Sequence, residues 1–159
     1  MRLIIAAIGR VKTGPEQDLI ARYTDRLIKT GKAIGITALE TIELPESRAS
    51  AADQRKREEA EALLARLGDA AMIVFDERGK SPDSRTFAAH IQTALDNGKP
   101  ALAFVIGGPD GLDEAIRARA SHVVAFGKLT MPHQIVRLLV AEQAYRATTI
   151  LTNHPYHRD

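Results

Sequence analysis

The chain has 159 residues, enough for one domain with a real core, and its 45% hydrophobic and 26% charged residues are ordinary for a globular protein. It has no cysteine, which excludes disulfides and thiolate chemistry. No apolar run is long enough to cross a membrane or reads as a signal peptide, so a cytoplasmic location is expected.

The net charge of +2 hides an uneven distribution: seven Lys/Arg against three Asp/Glu in residues 1–35, eleven against fifteen in 36–126, and four against two in 127–159. Arg outnumbers Lys fifteen to seven, which permits a polyanion partner without demanding one.

Residues 3–8 form a continuous apolar run closed by Gly9, as in a buried strand. Pro15 suits a first helical turn, and Leu19, Ile20, Tyr23, Leu27 and Ile28 recur at helical spacing until Gly31 stops the helix. Residues 36–44 read as a second strand ended by Pro45, and residues 50–53 as a capping box for a helix reaching Leu67. A third strand covers 71–75, with a loop at 76–82 and a helix over 84–95. A fourth strand covers 102–106, followed by the loop 107–111 and a short helix over 112–119. Residues 122–126 are a fifth strand, 127–131 its loop, and Pro132 opens a last helix to about Thr149. The alternation predicts an α/β fold, a mainly parallel sheet flanked by helices, in a single domain over residues 1–159.

Ligands of such sheets bind beyond the carboxyl ends of the strands, where the loops 76–82, 107–111 and 127–131 are expected. Gly107 and Gly108 allow close backbone approach, Pro109 makes a rigid bend, and Gly111 can take a positive φ. The loop is neither a Walker A nor a GxGxxG fingerprint, so ATP chemistry has little support. Gly127-Lys128-Leu129-Thr130-Met131-Pro132 carries one charge and suits an adenine or thioether better than a triphosphate; Thr130 and Pro132 also suit a helix start. In the last helix Ile135, Val136, Leu138, Leu139, Val140, Ala141, Ala144 and Tyr145 leave a narrow polar strip, which points to core packing plus a subunit contact. The tail is dense in Asn153, His154, Tyr156, His157 and Arg158, but its histidines lack partners at metal-binding spacing, so no metal is expected. No G-x-S-x-G elbow is present.

Four stretches together resemble the bacterial large-subunit ribosomal RNA pseudouridine N3-methyltransferases, a family of the SPOUT class. They are Ile106-Gly107-Gly108-Pro109-Asp110-Gly111-Leu112; Leu129-Thr130-Met131-Pro132-His133 with Val136-Arg137; Glu142 with Tyr145-Arg146; and Thr152-Asn153-His154-Pro155-Tyr156-His157-Arg158. The likeness runs end to end, and the terminal motif is its most specific part. The resemblance implies a C-terminal trefoil knot, a rare feature among folds, together with a homodimer and S-adenosylmethionine as co-substrate without a metal. It assigns Phe75, Gly107, Gly108, Gly127, Lys128, Leu129, Thr130, Met131 and Pro132 to the cofactor.

It further implies methylation of N3 of a pseudouridine in 23S rRNA on assembled ribosomes. The sulfonium methyl is already an activated electrophile, so such an enzyme must align the base nitrogen with the S–CH3 bond and help remove the N3 proton. His154, Tyr156 and His157 are the candidates for proton handling or base stacking, and Arg146 and Arg158 for phosphate or the developing anion. The basic first 35 residues are expected to contact rRNA. Two rivals are a non-catalytic ribosome-binding assembly factor and a SPOUT enzyme acting on tRNA. A short chain without a separate RNA-binding domain fits a prebuilt ribosomal surface better.

Overall fold

The computed structural model describes residues 1–158. Five strands, β1 (Arg2–Ile8), β2 (Ala38–Leu44), β3 (Ala71–Lys80), β4 (Ala101–Ile106) and β5 (His122–Val124), form one parallel sheet in the order β2-β1-β4-β3-β5. Helices α1 (Pro15–Gly31), α2 (Ala52–Leu67), α3 (Ser84–Asp96), α4 (Glu114–Arg119) and α5 (His133–Leu151) follow the strands in turn.

The continuous apolar runs arise because both sheet faces are covered. In β1, Leu3, Ile5 and Ala7 join the core under α1, α3 and α5, while Ile4, Ala6 and Ile8 join the core under α2 and α4. The same alternation divides β4, where Leu102, Phe104 and Ile106 face the first core and Ala101, Ala103 and Val105 the second. In α5, Val140, Ala141, Ala144 and Ala147 are wholly buried, and their small side chains let the helix lie close against its neighbours α1 and α3. Each helix begins where a strand ends, so all five helix starts lie toward the carboxyl edge of the sheet.

Several local expectations are corrected. The expected loop at 76–82 is strand as far as Lys80: after a bulge Lys80 pairs with Val124, and the Ala125 N–H donates to the Lys80 carbonyl at 2.8 Å. Gly79 permits this, since a Cβ there would stand 2.7 Å from backbone atoms of Val123 and Val124. Conversely β5 is three residues long, because the chain turns away after Val124. β2 starts at Ala38, while Ile36 is instead buried against Gly31. Gly31 stays helical, and the left-handed stop is Gly35, at the end of the 3-10 turn Lys32–Ile34. Ala51, not Ser50, occupies the N-cap of α2, with no side-chain cap bond. α4 starts at Glu114, capped by Asp113, and α5 starts at His133 with Pro132 at the N-cap, so Thr130 caps nothing.

Candidate active site

A cleft of about 440 Å³ opens at the carboxyl edge, over the ends of β3, β4 and β5. Its size suits a nucleoside-like ligand. One wall is the turn after β4. Its Gly111 N–H donates to the Gly108 carbonyl at 3.0 Å, and Gly111 has φ +81°, which a side chain would strain. Arg55 of α2 holds that turn from outside: its Nε and one Nη grip the two Asp110 carboxylate oxygens at 2.6 and 2.9 Å. The same guanidinium donates to the carbonyls of Ala49 and Ser50. The hydrogen bond from Arg55 keeps the Asp110 carboxyl below the ordinary carboxylate range. Behind the turn lies buried Glu59, which accepts the Ser47 N–H and whose carboxyl burial pushes upward.

The second wall is the end of β3. Phe75 stacks on Phe126 with ring centres 5.1 Å apart. The Asp76 carboxylate accepts the Arg78 N–H at 2.9 Å and Arg117 at 3.0 Å, so it braces the wall and faces α4. The third wall is the segment from Ala125 to the first turn of α5, including His133 and Val136. Apolar Phe75, Ile106, Val124 and Met131 stand beside polar Glu77, Arg78 and Thr130, the mixed lining common to small-molecule clefts.

Of the residues expected at the cofactor, Phe75, Gly107, Gly108, Gly127, Leu129, Thr130 and Met131 line the cleft. Lys128 and Pro132 do not; both belong to the same segment but stand outside the lining. Leu129 is 82% exposed, a large apolar side chain at the rim. Glu77 and Arg78 lie in the 76–82 stretch expected at the ligand, whereas sequence reasoning missed Lys56 and Val136 as lining residues and left His133 without a role. A signal existed for Arg137: a cation between the apolar pairs Ile135-Val136 and Leu138-Leu139 of the last helix. Its guanidinium is buried, donating to the Glu43 carboxylate at 2.6 Å and to the Ile8 and Gly9 carbonyls at 2.7 Å each. Burial lowers its pKa despite Glu43, and its Nε has no partner among the described residues.

The five tail-side candidates form a separate group. Arg146, His154, Tyr156, His157 and Arg158 do not line the cleft. Along α5, ten residues separate Val136 from Arg146, a rise of about 15 Å. Asn153 takes a positive φ of 54°, and the chain folds back along α5. Tyr156 donates its hydroxyl to Glu142 at 2.9 Å and lies 4.7 Å from the Tyr145 ring. Glu142 also accepts Arg146 at 2.7 Å, and Arg146 lies over the Tyr156 ring and within 3.4 Å of His157 Nδ1. His154 Nδ1 accepts the Tyr156 N–H, and Arg158 is exposed. Burial, then hydrogen bonding with Glu142 and Tyr23, pushes the Tyr156 phenol far above its ordinary value. Among the described residues no group of three His, Cys, Asp or Glu could hold a metal, and no helix is long and apolar enough to cross a membrane.

The chain is an α/β protein with a parallel sheet, and its cleft lies over the carboxyl edge of that sheet. A family model described as predicted SPOUT methyltransferase matches residues 1–157. A ribosomal RNA large subunit methyltransferase H from Agrobacterium fabrum is 57% identical over 159 residues, covering 99% of both chains. One of the same name from Sinorhizobium fredii is 53% identical, again over 99% of both. Among solved structures, a probable methylase family protein from Haemophilus influenzae Rd KW20 aligns with TM-score 0.51 at 15% identity, covering 97% of this chain and 67% of that one, a likeness of fold alone. The chain belongs to the SPOUT methyltransferase family.

Proposed function

We propose that this chain methylates N3 of a pseudouridine in 23S rRNA, with S-adenosylmethionine as methyl donor, acting as a homodimer on assembled ribosomes in the cytoplasm. The reading takes residues 1–159 as one domain closed by a trefoil knot near the cleft. The full-length similarity to relatives named for large-subunit rRNA methylation supports the reaction class.

The observation that carries the site is a separation: the ligand cleft and the tail group occupy different stretches of α5 within one subunit. A second subunit bringing its tail to the first subunit's cleft unites them. Ile135, Leu138 and Leu139, half-buried on α5, supply an apolar contact for such pairing.

The methyl donor, when bound, supplies an electrophilic carbon on a sulfonium. The apolar wall of Phe75, Ile106 and Met131 would hold the nucleoside and thioether, and the turn at 107–111 would face it from the other side. The target base enters over the donor with N3 in line with the breaking S–CH3 bond. As the N–C bond formed, the S–C electron pair would return to sulfur and the N3 proton would pass to His154, His157 or water, so negative charge on the base would precede or accompany attack. Arg146 and Arg158 stabilise that charge or neighbouring phosphate, and Tyr156 stacks on or hydrogen-bonds the base.

The test is transfer of labelled methyl to ribosomes from a strain lacking this gene, beside free large subunits, stripped rRNA and tRNA. Label in large-subunit rRNA only with assembled ribosomes is expected; label in tRNA alone, or none, refutes the assignment. Mixing an inactive Gly107→Trp cleft variant with an inactive Tyr156→Ala tail variant restores part of the activity if the site spans two subunits. No restoration after verified subunit exchange refutes the shared site.

A further inference from the structure

We propose that the loop between β1 and α1, residues 9–14, is a phosphate clamp that grips the backbone of the RNA flanking the methylated nucleotide, through Arg10 and Lys12. The proposal rests on the RNA-methyltransferase reading above and adds the surface by which the RNA is held.

The loop leaves the carboxyl end of β1, on the same sheet edge as the cleft. Its root is fixed. The Gly9 N–H donates to the Leu44 carbonyl at 2.7 Å, and the Val11 N–H to Glu43 at 2.9 Å. Arg137 holds the Ile8 and Gly9 carbonyls from the side. Arg137 follows Val136, which lines the cleft, so one helical turn ties the loop to the ligand site. The loop is thereby presented by a rigid frame while its own charged side chains stay in solvent.

Arg10, Lys12 and Thr13 are exposed, and among the described residues neither cation has an ion pair or a side-chain hydrogen bond. Glu43, the carboxylate beneath the loop, is neutralised by Arg137 and the Val11 N–H, so it does not compete for them. Glu46 beside Gly9 and Glu16 beside Gly14 bound the cationic stretch at its two ends. In the cleft walls Arg55 is engaged by Asp110 and Arg117 by Asp76, while Arg78, which also lines the cleft, is exposed. Two solvated cations with an adjacent hydroxyl donor, on the sheet edge that carries the cleft, match the oxygens of a phosphodiester. Such contacts position the strand without reading its sequence, which suits an enzyme whose cleft selects the base.

The experiment compares the full-length R10A/K12A double variant with wild type and with R66A/K99A, which removes the same charge from the opposite edge of the sheet. Methyl transfer to ribosomes is followed across a range of salt, with S-adenosylmethionine affinity measured separately. R10A/K12A is expected to raise KM for ribosomes about fivefold or more, and to flatten the slope of log affinity against log salt by about 1.5. Its kcat, cofactor affinity and melting temperature stay at wild-type values, and R66A/K99A changes none of these. An unchanged KM and salt slope in R10A/K12A overturns the clamp, as does an equal shift in R66A/K99A. If wild type transfers no methyl to any ribosomal substrate, the functional reading fails instead. Ribosome binding by the three proteins without methyl donor then still decides the clamp on the same criteria.

Discussion

Replacing Arg137 with Met removes a buried guanidinium that joins α5 to the ends of β1 and β2 through three bonds of 2.6–2.7 Å. Removing one partner of a buried ion pair costs about 3–5 kcal/mol, because the group left behind is uncompensated. Glu43 is 29% exposed at its side chain and keeps the Val11 N–H, so water relieves part of that penalty and the low end applies, about 3 kcal/mol. For a chain of this size each kcal/mol shifts the melting temperature by about 2–4 °C, giving a fall of about 6–12 °C. Thermal unfolding followed by circular dichroism, at one protein concentration, measures it. The double variant R137M/E43L should lose less than the sum of its singles, since no charge is then stranded. A fall below about 3 °C in R137M, or strict additivity, would refute the argument that this pair fastens α5 to the sheet.

Gly79→Ala places a Cβ against backbone that cannot step aside, so it should cost about 1–3 kcal/mol in denaturant unfolding. It should also weaken S-adenosylmethionine binding in calorimetry; wild-type values in both would deny the close crossing. Glu142→Gln removes the carboxylate that helps hold the Tyr156 proton, so phenolate absorbance should develop at lower pH than in wild type. With three tyrosines and no tryptophan the titration is clean, and superimposed curves would disprove the coupling. The His90 and His122 rings stack 3.6 Å apart, and burial lowers both pKa values, aided at His90 by the charge of His122. Because the unfolded chain then takes up protons first, stability present at neutral pH should decline as pH falls through the ordinary histidine value of about 6.5. H90Q/H122Q should flatten that decline in denaturation midpoints, and an identical slope would exclude these rings as its source.

What the sequence revealed was the part governed by local pattern. Residues 3–8 and 102–106 read as strands because both faces of β1 and β4 are buried, and α3 and α5 read from their spacing. The end of β3 did not. Asp76-Glu77-Arg78-Gly79-Lys80 has the composition of a loop, and its strand character comes from the backbone of β5, a partner over forty residues later. The same rule governs the site. Loop glycines announced the cleft, but the Arg55–Asp110 fork joins residues 55 positions apart and leaves no local trace. The tail motif gave the chemistry of its residues but not their place, because Tyr156 is fixed by Glu142 and Tyr145 on a helix whose start serves the cleft.

The strand order has a consequence for how the chain is made. β1 is synthesised early yet lies inside the sheet, with β2 on one side and β4 on the other. Arg2 pairs with Ala101, so the apolar stretch 3–8 of β1 keeps that edge unpaired until the residues of β4 have been made. The last helix, α5, then completes the cover over Leu3 and Ile5 that α1 and α3 begin. Pairings this distant make folding slow and leave apolar surface open to aggregation meanwhile. The sheet therefore cannot grow outward from the amino terminus, and a nascent chain halted before β4 lacks the strand that closes its middle.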